Sequence, residues 1–229
     1  MIRRPRITPA RDWSFPRHEE SRLGNGLTVW AFHLPGQYVV SAALSLDLPL
    51  SLEPTEQEGI AAITARSLDE GTRRHPGSDF SARLEDLGAV FGASATLSGT
   101  QVGISVPVTD LAAALPLLAE AVREPSLAEA DIRRQVGLRK AELVQARASS
   151  AQLAAMLTPA SVFDAGCRAS RPSGGSTRTV SAVTAEAAQA FHRSHYSPHG
   201  ATLVLAGDFV GLDPLWLAER AFGDWEHPR

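Results

Sequence analysis

The most informative part of the chain is Gly59-Ile60-Ala61-Ala62-Ile63-Thr64-Ala65-Arg66-Ser67-Leu68-Asp69-Glu70-Gly71-Thr72, and its pattern predicts a helix over residues 58–68. In a helix, positions i, i+3 and i+4 lie on one face. Here those positions are Ala62, Ala65 and Arg66. A methyl group has no lone pair to donate, and a guanidinium has no acceptor and a permanent positive charge. This face of the helix is therefore unsuited to binding a metal ion.

The same stretch resembles the zinc-binding helix of the pitrilysin/insulinase metallopeptidases. That family has roughly the pattern G-L-A-H-F-L-E-H-M-x-F-x-G-T, an inverzincin motif whose two imidazoles and carboxylate can hold zinc and activate its water. The residues that the chain shares with this pattern are Gly59, Ala61, Leu68, Gly71 and Thr72. The H-x-x-E-H positions hold Ala62, Ala65 and Arg66 instead. The resemblance thus implies a peptidase-type domain without catalytic residues and without its own metal.

The resemblance also identifies one retained carboxylate. An inverzincin needs a carboxylate ligand on a second helix, and the best match is Glu142 in Arg139-Lys140-Ala141-Glu142-Leu143. If the two helices are adjacent, Arg66 and Glu142 form an ion pair where the metal would sit. The alternative is a solvated glutamate on a charged helix, because such side chains are usually exposed.

Hydrophobic periodicity predicts the order of the remaining elements. Strands are predicted at residues 23–32, 38–46, 90–97, 101–106 and 201–206. Helices are predicted at 58–68, 78–88, 110–122, 128–157 (one helix or a pair), from 184 onward and at 214–222, with an irregular segment at 159–179. This order predicts an α+β fold in which helices pack mainly on one face of a mixed sheet.

Further matches extend the resemblance from about Leu23 to the end of the chain. They lie at residues 25–27, 84–89, 91–96, 171–175, 183–186, 191–192, 196–198 and 203–208. They imply a mostly antiparallel sheet in a domain like that of mitochondrial processing peptidase. We expect residues 1–21 to form an extended arm and residues 22–229 a single domain. Because the family pairs two such domains in one subunit, the chain is a fragment, a short subunit or the first half of a longer product.

A candidate peptide-binding strand follows from the same resemblance. Gly92, Ala93, Ser94, Ala95 and Thr96 occupy the position of the family's N-A-x-T edge strand. A peptide is expected to bind there by strand addition, through backbone hydrogen bonds. Gly92 replaces the family's asparagine, so this position lacks the side-chain amide that would polarise a substrate. The alternative is a strand that is paired internally on both sides.

Composition excludes several classes of function. The 229 residues are 44% hydrophobic and 21% charged, with a net charge of −3, which argues against a nucleic-acid partner. Cys167 is the one cysteine, so no internal disulfide can form. The basic N-terminus is not followed by the apolar run of a signal peptide, and no segment is long enough to span a membrane. We therefore expect a cytoplasmic protein without a membrane partner.

Two other patterns are weak candidates for sites. His192, His195 and His199 have helical spacing, but Pro198 interrupts the helix, so exposed or capping histidines are favoured over metal ligands. The segment 173–176, Ser-Gly-Gly-Ser, lacks the lysine of a phosphate loop and is predicted to be a flexible loop.

The favoured interpretation is a non-catalytic homologue of the pitrilysin peptidases. It would bind an extended peptide and complete the chamber of a zinc-bearing partner, either a homologous subunit or a second half-domain. Zinc is then expected only in the partner. One alternative is an active metallopeptidase with an unorthodox metal site that includes Glu142. Another is a structural assembly subunit.

Overall fold

The computed structural model describes residues 13–226, and the sheet in this part of the chain has six strands. The strands are β1 Glu19–Arg22, β2 Thr28–His33, β3 Val39–Leu46, β4 Val90–Thr96, β5 Gly99–Pro107 and β6 Thr202–Gly207. They lie in the order β1-β2-β6-β3-β5-β4, and every neighbouring pair is antiparallel except β2 and β6. The predicted mixed, mostly antiparallel sheet is confirmed.

Eight α-helices accompany this sheet in the part of the chain that the structure describes. They are α1 Ile60–Arg66, α2 Ser78–Asp86, α3 Leu111–Arg123, α4 Glu129–Ala148, α5 Ser150–Val162, α6 Thr177–Ser181, α7 Ala185–His195 and α8 Pro214–Phe222. None of the helices within residues 13–226 is both long enough and apolar enough to cross a membrane.

One face of the sheet is buried and the other is exposed, as the alternation in β3 shows. Val40, Ala42, Leu44 and Leu46 are buried, while the residues between them are exposed. Antiparallel sheets tolerate water on one face, and the apolar face must then be covered by another layer. Helix α3, whose buried residues are all apolar, contacts β5 and contributes to that layer. The predicted one-sided α+β architecture is thus confirmed.

The extended arm predicted at residues 1–21 is described only from residue 13 onward, and its residues 19–21 belong to β1, which pairs with β2. The segment 159–179 was expected to be irregular, and that expectation was wrong at both ends. Helix α5 includes Pro159 and ends at Val162, and α6 occupies Thr177–Ser181. Proline removes only one backbone donor, and the N–H of Phe163 still bonds to the carbonyl of Pro159 one turn later.

Candidate functional site

Helix α1 is held at its N-terminus by a buried carboxylate. Oε1 of Glu53 accepts hydrogen bonds from the N–H groups of Gly59 at 2.9 Å and Ala61 at 3.0 Å. The first N–H groups of a helix have no partner within the helix, and a negative charge is favourable at this end. Glu53 therefore fixes where the helix begins.

Two arginines attach the segment 168–175 to glutamates that lie just before α1. Nη2 of Arg168 donates to Oε2 of Glu53 at 2.7 Å, and both side chains are buried. Nε of Arg171 donates to Oε1 of Glu58 at 2.7 Å. Gly175 packs so closely that a Cβ atom there would overlap the carbonyl oxygen of Glu58. The predicted flexible loop is consequently wrong at Gly174 and Gly175, because both glycines are packed against neighbouring residues.

The three substituted positions of α1 lie in different surroundings. Ala65 is fully buried, whereas Ala62 lies at the surface of a cleft. Arg66 extends from the end of α1 towards α4, where its Nη1 donates to Oε1 of Glu142 at 2.7 Å. The ion pair that the sequence led us to expect is therefore present. Both side chains keep about two-fifths of their surface exposed, at 41% for Arg66 and 42% for Glu142, so the pair is not desolvated.

Glu142 has a second basic partner on its own helix. Nη1 of Arg139 donates to Oε2 of Glu142 at 2.9 Å, and Nε of Arg139 donates to the carbonyl of Gly174 at 3.0 Å. Partial burial on its own raises the pKa of Glu142, but the hydrogen bonds and charges of Arg66 and Arg139 outweigh it. The pKa of Glu142 is therefore lowered from its usual 4.5. The carboxylate stays ionised between two guanidinium groups.

These residues do not fit a zinc ion. Ala62 and Ala65 supply no donor atom, and Arg66 places a cation beside the one carboxylate that could ligate. Both oxygens of Glu142 already accept hydrogen bonds. Among residues 13–226, no group of three or more His, Cys, Asp and Glu side chains is arranged to hold a metal.

Of the three histidines, His192 differs from the prediction, whereas α7 ends at His195, before Pro198, and His199 is exposed as predicted. His192 is buried, not exposed, and its Nε2 contacts the carbonyl oxygen of Val122 at 2.8 Å. Burial lowers the pKa of His192 to about 4, although the hydrogen bond to Val122 raises it. A neutral imidazole that donates to a carbonyl is a packing residue of α7, and the sequence pattern alone did not reveal its burial.

A cleft of about 220 Å³ lies between α1 and β4. Its lining residues come from four separate parts of the chain; they are Ala62, Arg66, Ala93, Ser94, Ala95, Arg139, Ser173 and Gly174. Strand β4 is the last strand of the sheet in the described part of the chain and pairs with β5 on one side only. Three of the five residues proposed for the peptide-binding strand, Ala93, Ser94 and Ala95, therefore lie beside the substituted metal positions.

Sequence reasoning missed three contributors to this site. Arg139 lies one helical turn before Glu142, and that spacing could have identified it as a partner. No comparable local signal pointed to Glu53 and Arg168, because these residues are 115 positions apart in the sequence and meet only in the folded chain.

Comparison with known proteins places this architecture in a family. The model of the insulinase family, peptidase family M16, matches residues 29–166, which is more than half of the chain. The chain belongs to peptidase family M16. The model of the peptidase M16 inactive domain matches residues 182–229. The predicted family is therefore confirmed.

Relatives of this M16 chain include proteins of different kinds. An uncharacterized zinc protease of Rickettsia felis is 26% identical over 204 residues, which cover 88% of the chain and 49% of the relative. Subunit 1 of the mitochondrial cytochrome b-c1 complex of Bos taurus is 25% identical over 209 residues, covering 91% of the chain and 43% of the relative. The M16 chain thus spans about half the length of the curated relatives it matches.

The fold is shared with solved structures. The crystal structure of a protease from Helicobacter pylori has a TM-score of 0.83 at 20% identity, and the match covers 94% of this chain and 52% of that one. At this identity the likeness concerns the fold alone. The M16 chain therefore corresponds in fold to about half of that protease.

Proposed function

We propose that this M16 chain is a non-catalytic half that binds an extended peptide along β4 and completes the chamber of a zinc-bearing partner. The observation that carries the proposal is the position of Arg66, whose guanidinium bonds to Glu142 beside the unpaired edge of the sheet. Arg66 takes the place of a zinc ligand, so this half has no metal-bound water to attack a peptide bond. The outer edge of β4 remains available for backbone hydrogen bonds to a peptide.

Peptide binding by strand addition is supported by the character of β4. An edge strand presents a row of unpaired N–H and C=O groups, which form a template for another strand. The side chains at the cleft are short, since Ala93, Ser94 and Ala95 line it. A peptide backbone can therefore approach β4 without displacing a bulky side chain.

A partner is supported by the length of the chain relative to its family. The zinc protease of Rickettsia felis is about twice as long as the matched segment. In this proposal, the other half of the chamber is formed by a homologous subunit with an intact H-x-x-E-H motif, or by a second half-domain. Zinc would then be bound by the partner.

A direct test uses N-methylated peptides. A panel of acetylated and amidated synthetic peptides is screened by calorimetry against the purified chain, and the tightest binder is resynthesised in two forms. One form is methylated at its odd-numbered amides and the other at its even-numbered amides. Strand addition uses alternate N–H groups, so one form should lose binding and the other should keep it. Equal loss or equal retention in both forms would refute pairing with β4.

A second test concerns the partner and catalysis. The chain alone should not cleave the bound peptide, whereas a complex with a motif-bearing M16 protein should cleave it. Chelator-sensitive hydrolysis by the chain alone, lost in Glu142→Gln, would instead support a metallopeptidase with an unorthodox site.

A structural assembly subunit is the second candidate, and the bovine relative favours it because that protein is a subunit of the cytochrome b-c1 complex. A chain that forms a stable complex but binds no peptide from the panel would support this role and contradict peptide binding.

A further inference from the structure

The cleft beside β4 has a positive charge. Both charged residues in its lining, Arg66 and Arg139, are basic. Glu142 lies outside the lining and accepts one hydrogen bond from each of them. One carboxylate cannot neutralise two guanidinium groups, so the cluster keeps a net charge of +1.

The arginines also retain hydrogen-bond donors. Arg66 uses only Nη1 for Glu142, so its Nε and Nη2 bond to no other residue in the part of the chain described. Arg139 uses Nε for Gly174 and Nη1 for Glu142, and its Nη2 is likewise unused there. An arginine presents its donors in a planar fork that matches a carboxylate. The cleft therefore offers both charge and geometry for an anionic group.

The register of β4 determines which part of a bound peptide would meet these donors. Ala93 and Ala95 pack against the core on the helix-covered face, and they also line the cleft with Arg66. Alternate side chains of an added strand project to that same face. The small alanines leave room for a longer side chain of the peptide to reach the guanidinium groups.

We propose that the cleft selects an extended peptide with an acidic side chain, Asp or Glu, placed opposite Ala93–Ala95 and bound by Arg66 and Arg139. This inference rests on the proposed peptide binding at β4 and adds its specificity. A side chain is favoured over a terminal carboxylate because the arginines lie beside the face of the strand to which side chains point.

The test compares peptides that differ in one charge. An acetylated and amidated peptide from the panel is made with Glu and with Gln at each successive position, and binding is measured by calorimetry at low and high salt. At one position, the Glu peptide should bind about tenfold more tightly at low salt, and the difference should shrink at high salt. Equal binding of Glu and Gln peptides at every position overturns the acidic preference and leaves strand addition standing. Failure of all peptides to bind overturns the proposed function itself.

Variants of the protein test whether Arg66 causes the preference for an acidic side chain. Arg66→Gln should abolish it, whereas Arg66→Lys should keep only part of it, because lysine retains the charge but not the planar fork of donors. Arg133→Gln is the matched control: it removes one positive charge from α4, and Arg133 lies outside the cleft with its side chain 74% exposed. A preference that persists in a folded Arg66→Gln protein refutes the assignment. One Gln peptide is also made without the C-terminal amide, and tighter binding of this peptide than of every Glu peptide would refute recognition of a side chain. If Arg66→Gln does not fold, Arg66→Lys and the peptide series with the unmodified protein still decide the question.

Discussion

Arg168 and Glu53 form a buried ion pair across 115 positions of sequence, with Nη2 of Arg168 at 2.7 Å from Oε2 of Glu53. The other oxygen of Glu53 receives the first N–H groups of α1. Through this carboxylate, the segment after α5 is connected directly to the helix that carries Ala62 and Arg66. The pair therefore holds α1 and the segment 168–175 together, although neither Glu53 nor Arg168 lines the cleft.

The first prediction concerns the stability that depends on this pair. Arg168→Met should lower the free energy of unfolding by about 3–5 kcal/mol, because it leaves Glu53 buried without its counter-ion. Denaturant unfolding measures the change. Arg133→Met is the control and should cost at most about 0.5 kcal/mol, since Arg133 pairs with Glu129 in solvent. Adding Glu53→Gln to Arg168→Met should recover part of the loss, and no recovery would contradict an electrostatic cause.

The second prediction is a pH dependence at Glu142. The pKa of Glu142 is lowered in the folded state, so its ionised form stabilises the fold above the ordinary pKa of 4.5 and this contribution is lost as pH falls through the folded value. Glu142→Gln should therefore destabilise the protein near neutral pH and match the wild type in acid. The difference should be about 1 kcal/mol or less, because the side chain is 42% exposed and screened. Unfolding curves at a series of pH values measure it, with Glu129→Gln as the control for one lost charge. A difference that grows in acid would contradict the prediction.

The third prediction is that a zinc site can be restored with two substitutions. Ala62→His with Arg66→His provides two imidazoles on one helix face and frees Oε1 of Glu142 as a third ligand. Glutamate at position 65 is best omitted, because Ala65 is fully buried and a carboxylate there would be costly. The double variant should bind zinc with a dissociation constant on the order of micromolar, measured by competition with a chromogenic chelator. Adding Glu142→Gln should weaken that binding. A folded double variant that takes up no zinc would mean that α1 and α4 are not arranged as described.

The fourth prediction tests the packing of Gly175 against Glu58, which lies just before α1. Gly175 has φ +72, and a Cβ there would overlap the carbonyl oxygen of Glu58. Gly36 has a similar φ of +81 but nothing within 4 Å of an added Cβ. Gly36→Ala should therefore cost only the backbone strain, about 1 kcal/mol, whereas Gly175→Ala should cost about 2–3 kcal/mol more. Thermal unfolding of the two variants provides the comparison, and equal losses would contradict close packing at Gly175.

Local sequence predicted the elements whose signals lie within a few residues. Helix α8 has its predicted bounds, Pro214–Phe222, because proline is well suited to the first turn of a helix. Thr184 caps α7 as expected, by accepting a hydrogen bond from the N–H of Ala187. The prediction of an irregular segment at 159–179 was wrong for local reasons: Pro159 removes only one backbone donor from α5, and Ser176 caps α6 by accepting a hydrogen bond from the N–H of Thr179.

The residue types at positions 62, 65 and 66 suffice to predict that this face of α1 does not ligate zinc, since methyl and guanidinium groups lack the lone pairs that zinc requires. The sequence also contains the alternation of core-facing and solvent-facing residues in β3, which leaves one face of the sheet exposed. The folded chain alone shows that Arg139 joins Arg66 in the cleft, that Glu142 lies outside the lining and that Glu53 meets Arg168 in the interior. The charge and burial of a site depend on which distant segments meet, and spacing along one chain does not contain that information.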